Sequence, residues 1–257
     1  MKLEKIAAWL DKTLKVADFD DVSNNGLQVA RDQGSGIGDQ VRVVAFAVDA
    51  SVKNVKAAAK AGAQLLVVHH GISWGGGIKR ISGGVYNVVK AAMDANLAVY
   101  ACHLPLDAHP VLGNNAQLAK LLKLKNVKQA FSYHGNVIGV VGEGLKVRVF
   151  ESLKVLGLQN SHTFKLSNLQ TFKPSNSQTL RVGVCSGGAG EFAEEAKALG
   201  CDLYVTGEAS WGDVIAAENV GMKMVCAGHY ETEVFGVRAV AKAMAKALRV
   251  KTVDLTI

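Results

Sequence analysis

Three short stretches bring imidazole and carboxylate groups together at spacings that could hold metal ions. VVHHG at residues 67–71 ends an aliphatic run in two adjacent histidines, His69 and His70. Neighbours in a regular strand point to opposite faces, so both rings can enter one crevice only where the strand stops, and Gly71 supplies the stop. YACHLPLDAHP at 100–110 follows Cys102 with His103, Asp107 and His109, on a loop stiffened by Pro105 and Pro110. GHYETEV at 228–234 sets His229 and Glu233 four residues apart, one turn along a shared helical face. Each stretch alone has a plainer reading: hydrogen-bonded structural histidines, a turn-capping Asp107, a water-facing His109, a solvent-facing polar pair. Pooled, His69, His70, Asp107, His229 and Glu233 exceed what one tetrahedral ion needs and suit two ions sharing a bridging carboxylate. Ions so paired activate water, which is hydrolytic chemistry. Beside them His103 is a candidate proton shuttle or orienter of Asp107, and Glu208 and Glu233 are candidate acid or base groups.

The elements that must position these residues follow from the apolar pattern. Short Val/Leu/Ala-rich runs alternate with longer segments of helical period, the pattern of an α/β protein with mostly parallel strands. Strands are predicted near 41–48, 65–68, 97–102, 136–142, 180–185, 202–206, 223–227 and 251–257. The clearest helices fall at 51–62, 84–96, 114–123, 145–157, 189–199, 210–220 and 230–248. All three chemical stretches then leave the carboxyl ends of strands, where the loops of a parallel sheet open a crevice for ligands. The polar segment 159–179 lacks apolar period and reads as an extended connection. AKAGAQLLVVHHG at 59–71 and AKALGCDLYVTGE at 196–208 both run from a helix end through Gly62 or Gly200 into a strand with a polar tip. Either a duplication or two similar βαβ units explains the echo, in which Glu208 stands where His70 does.

Composition narrows the class. A chain of 257 residues, 49% hydrophobic with 3 prolines, can bury one large core or two moderate ones. No apolar run approaches the ~20 residues of a membrane span, and MKLEKIAAWLDK lacks the apolar core of a secretion signal, so the cytoplasm is the expected location. Cys102, Cys185, Cys201 and Cys226 lie in or beside apolar runs without CxxC spacing and read as buried thiols. A formal charge of +7 would attract phosphate-bearing partners; the cations are spread along the chain and aromatics make up 6%, so nucleic-acid binding is permitted without being indicated. WGGGIKRISGG at 74–84, with Lys79 and Arg80, and SGGAGE at 186–191 are neither Walker nor GxGxxG motifs. Glu191 would repel an anion at a helix start, and the two stretches read as a mobile lid and a tight turn.

NNGLQV at 24–29, VVHHG at 67–71, CHLPLDAHPVLGNNAQLA at 102–119, VCSGGAG at 184–190, DLYVTGE at 202–208 and GHYETE at 228–233 resemble, in order and across nearly the whole chain, the motif series of the NGG-interacting factor three family. Its members are also called dinuclear metal centre or "GTP cyclohydrolase I type 2" proteins. The resemblance implies two similar α/β domains with mostly parallel or mixed sheets flanked by helices, the second (126–227) inserted in the first (1–125 plus 228–257). It implies a toroidal homohexamer with metal sites facing its cavity. It also implies two divalent ions per chain, with His69, His70, Asp107, His229 and Glu233 as ligands and Glu233 bridging. Zinc, iron, manganese, cobalt and nickel all suit such donors. The length is similar to the short bacterial form. Two departures stand out: Ser23-Asn24-Asn25 where the family often has DN before GLQV, and Trp211 where many members place a histidine after TGE. The implied function is a metal-dependent hydrolase acting on a nucleotide or other small phosphorylated substrate through a metal-bridged water. The alternative is a non-enzymatic hexameric scaffold with a regulatory or metal-delivery role.

Overall fold

The computed structural model describes residues 1–31, 40–155 and 178–256, so most of the connection read at 159–179 lies outside the described residues. The chain divides into two compact units, Met1–Leu106 with Gly236–Ile257, and Asp107–Phe235.

The first unit opens with α1 (Leu3–Leu14), which buries Leu3, Ile6, Leu10 and Leu14, apolar residues three and four apart on one helical stripe. Its sheet runs β1-β4-β3-β2-β10, from β1 (Gly26–Val29), β4 (Ala98–Ala101), β3 (Leu65–His70), β2 (Val43–Asp49) and β10 (Lys251–Asp254). The last four are parallel to their neighbours, and β1 closes one edge antiparallel to β4. Between β2 and β3 lies α2 (Val52–Lys60), whose cap Ser51 accepts from Asn54 N at 3.2 Å. Between β3 and β4 lies α3 (Gly83–Asp94). The aliphatic runs of β2, β3 and β4 are buried almost throughout, as strands of a covered parallel sheet must be. Ala45, Val55, Leu66, Val68, Leu97 and Val99 form the core of this unit.

The second unit follows the chain through α4 (Leu104–Ala108), at which the units divide, α5 (Asn114–Leu121), β5 (Lys125–Tyr133), β6 (Asn136–Leu145), α6 (Lys146–Val155) and β7 (Thr179–Cys185). A 3-10 turn, Gly190–Phe192, then leads into α7 (Ala193–Ala198), β8 (Leu203–Thr206), α8 (Trp211–Asn219), β9 (Met224–Cys226) and α9 (His229–Leu248). The sheet order is β5-β6-β7-β8-β9, parallel from β7 to β9 and antiparallel from β5 to β7. Leu118, Ala119 and Leu122 pack with Val140, Val184 and Leu203, and Phe235 lies against the same cluster. Residues 107–125 and 228–235, read from the sequence with the first domain, therefore group with the second unit.

Each unit contains a parallel βαβαβ core, β2 to β4 and β7 to β9, and each has a five-stranded mixed sheet flanked by helices, so the expected α/β class holds. At the helix-to-strand turns before β3 and β8, Gly62 and Gly200 take φ of +72° and +73°, which explains why both positions are glycine. No described helix is long and apolar enough to cross a membrane. None of the four cysteines forms a disulfide. Burial pushes the Cys185 thiol well up and that of Cys201 to about 11, so both are inert at neutral pH.

Candidate metal centre

In the first unit the aliphatic run of β3 carries two histidines at its carboxyl end. His69 is fully buried, and His70 sits opposite Asp49 of β2 in the strand register. His69 Nδ1 is 3.0 Å from the Cys102 carbonyl oxygen, at the end of β4. His70 Nδ1 is 2.9 Å from Asp49 Oδ1, and His103 Nδ1 is 2.9 Å from Asp21 Oδ1. A carbonyl or an ionised carboxylate can only accept, so in each neutral imidazole Nδ1 carries the hydrogen and Nε2 presents the lone pair. Ring centroids lie 4.7 Å apart for His69 and His70, 5.0 Å for His69 and His103, and 5.8 Å for His70 and His103. One nitrogen from each ring lies within 4.8 Å of the other two. Imidazoles gathered at such distances, each with an oxygen behind it fixing its tautomer, make a nitrogen-rich site for a borderline divalent cation.

NNGLQV braces both loops that carry these rings. Asp21 Oδ1 accepts from Ser23 N at 3.0 Å as well as from His103, and its Oδ2 accepts from Asn25 Nδ2 at 2.8 Å and Leu104 N at 2.9 Å. Asn25 Oδ1 in turn accepts from His103 N at 2.8 Å. Burial pushes the Asp21 carboxyl up, but the hydrogen bond and charge of His103, with the Ser23 and Asn25 donors, more than offset this and hold it at about 2. Gln28 Oε1 accepts from Ile72 N and Ser73 N, and Gln28 Nε2 donates to Asn24 O at 2.7 Å. A Cβ at Gly71 would run into the Gln28 amide and the Ala101 side chain, so the residue after HH must be glycine.

In the second unit, His229 and Glu233 open α9 one turn apart, with His229 Nε2 at 3.2 Å from Glu233 Oε1. His229 Nδ1 is 3.1 Å from Glu208 Oε1, just beyond β8. The Glu233 hydrogen bond is the chief cause raising His229 to about 9; burial opposes it, and the Glu233 charge and Glu208 add to it. A carboxylate at each nitrogen thus holds a doubly protonated ring, and a cation binding at Nε2 must displace a proton. Glu233 is buried, and the turn 186–188 lies against it: a Cβ at Gly187, where φ is +70°, would strike Glu233 Oε1 and come within 3.3 Å of His229 Nε2. Gly187 N donates to Thr232 Oγ1 at 3.0 Å, tying that turn to the helix start. SGGAG is therefore the tight turn that the pair packs on. Next to it, Ser186 Oγ and Asn114 Nδ2 reach Asp107 Oδ1 at 3.0 and 2.8 Å. An Asp107 carboxylate oxygen lies within 4.8 Å of one from Glu233. His109 faces its own loop, where Nδ1 accepts from Val111 N and Leu112 N.

The sequence matches the family Duf34/NIF3 (NGG1p interacting factor 3) over residues 1–257. The chain belongs to this family. Among its relatives, a Deinococcus radiodurans protein called GTP cyclohydrolase 1 type 2 homolog is 40% identical over 239 residues, 93% of this chain and 86% of the relative. A Pyrococcus horikoshii protein of the same name is 38% identical over 253 residues, 98% of this chain and 97% of the relative. The crystal structure of TTHA1606 from Thermus thermophilus has a TM-score of 0.80 at 29% identity, covering 99% of this chain and 98% of that one.

In this NIF3 chain His69, His70 and His103 form one group, and Asp107, Glu208, His229 and Glu233 line a second within its own unit. From sequence His103 stands apart as a proton shuttle or orienter of Asp107; in the structure its Nδ1 belongs to Asp21, and it joins the histidine group. Asp21, Asp49, Asn25, Asn114 and Ser186 are absent from the sequence-based candidates. Asp49 leaves a legible signal, since it ends a parallel strand next to the one that ends in HH. Asp21 leaves none, because it reaches His103 across 82 residues of chain.

Proposed function

We propose that this chain is a dinuclear metal-binding protein acting as a metal-dependent hydrolase, with His69, His70, Asp107, His229 and Glu233 as ligands of two divalent cations and Glu233 bridging. One observation carries this reading: both imidazoles at the end of β3 have Nδ1 against an oxygen, His69 against the Cys102 carbonyl and His70 against Asp49, which leaves Nε2 to act as the ligand atom. The donors fit such ions, being imidazole and carboxylate without thiolate, and zinc, iron, manganese, cobalt and nickel all suit them. Two cations held by these residues would supply Lewis acidity, for activating water and polarising a substrate carbonyl, ring carbon or phosphoryl oxygen. The chain's own residues supply the rest. Asp49 holds the His70 ring in the ligating tautomer, Asp21 fixes His103 beside it, and Asn114 and Ser186 aim Asp107. Glu208, exposed and hydrogen-bonded to His229, can take or give a proton at Oε1. The name carried by the relatives and the +7 charge favour a nucleotide or another small phosphorylated substrate. By the same resemblance the chain works as a homohexamer in the cytoplasm.

The test is hydrolysis of GTP and of simple phosphate esters by protein loaded in turn with each of the five metals. Turnover should vanish on chelation and fall about 100-fold or more in Glu208→Gln, the scale of a lost acid or base. No turnover with any metal overturns the hydrolase reading.

A further inference from the structure

We propose that Trp74 is a stacking platform for a planar aromatic heterocycle of the nucleobase class, which would lie on the indole beside the histidine group. This deepens the hydrolase reading and rests on it for the identity of the neighbouring site. Trp74 meets His103 edge to face, with centroids 5.1 Å apart and planes at 75°, and lies 6.0 Å from His70. The indole and the backbone that carries it are both tied down. Its Nε1 donates to the Gly71 carbonyl at 3.1 Å, its backbone bridges to Ser23, and the next residue, Gly75, donates to Val22 O at 2.6 Å. A single exposed aromatic is ordinary on a protein surface. This one differs because its indole N–H is tied down, it lies beside two rings of the histidine group, His70 and His103, and it is still 38% exposed. The three residues after it are glycines; Gly75 and Gly77 take φ of +54° and +90°, a backbone that favours glycine, and at all three a Cβ would meet nothing within 4 Å. Every nucleobase has a π face, so such a platform selects for a ring without demanding one base.

The chain has three tryptophans, so Trp9→Phe with Trp211→Phe leaves Trp74 as the sole indole reporter. Guanosine and adenosine monophosphates should quench its fluorescence saturably, and ribose 5-phosphate should not. By calorimetry on the otherwise native chain, Trp74→Ala should weaken nucleotide binding roughly 5- to 150-fold, the range of one lost stacking contact. Trp74→Phe should fall between, and both variants should keep the native metal content. Absence of quenching, equal quenching by ribose 5-phosphate, or unchanged affinity in Trp74→Ala overturns the proposal. So does loss of metal in Trp74→Phe, which would make the ring a brace for the histidines. Quenching in a protein that binds no metal would sink the hydrolase reading and leave the platform standing; metal without quenching would do the reverse.

Discussion

At His229 two carboxylates share one ring, and this fixes how the residue should titrate. Its pKa is raised from 6.5 to about 9, so in metal-free protein the stabilisation from this pairing is full below about 6.5 and is lost as pH rises through about 9. An NMR titration of the His229 ring should show a midpoint near 9 that falls towards 6.5 in Glu233→Gln. Zinc should abolish the titration and release a proton, since metal and proton compete for Nε2. A native midpoint near 6.5 would show that Glu233 does not hold that proton. The same scale shows what a sequence can reveal. Residue type and strand-end position single out His69, His70, Asp107, His229 and Glu233. The oxygens that choose a tautomer, on Asp21 and Cys102, depend on which loops meet, and nothing in local spacing encodes that.

Among the elements, the buried parallel strands are the most legible, because a strand covered on both faces must be a continuous aliphatic run. Neither β1 nor β5 is anticipated. The first has four residues, none fully buried; the second lies at a sheet edge, mostly exposed, with positive φ at Asn126 and Phe131 and an irregular register, so no period-2 pattern marks it. α1 is a different case: Leu3, Ile6, Leu10 and Leu14 have helical spacing, and the helix could have been predicted. Two turns allow a matched test. Gly187 and Gly200 share the left-handed conformation, but only Gly187 has atoms where a Cβ would go. Gly200→Ala should cost about 1–2 kcal/mol, the penalty of that conformation alone. Gly187→Ala should cost more and should also weaken metal binding, because its Cβ pushes on Glu233 and His229. Thermal melts and metal titrations of both variants decide this; equal effects would show that the turn does not support the pair.

For the whole molecule, the α/β class and the family are legible because six motifs recur in order along the chain, and the family match spans residues 1–257. The division of the chain is less so. α5 follows the histidine loop in sequence, but its apolar residues Leu118 and Ala119, with Leu122 just after it, belong to the core of the second unit, a preference that periodicity cannot assign. Both units end parallel strands in groups of ligating residue types, and the central claim is that these groups serve two metal ions. It is tested most directly by metal content per chain, by plasma mass spectrometry, on protein purified without a histidine tag. The native chain should hold about two transition-metal ions, with sharp losses in His69→Ala and in Glu233→Ala, since a bridging carboxylate serves both. A native chain that stays empty after incubation with excess zinc, manganese, iron, cobalt and nickel would contradict the account.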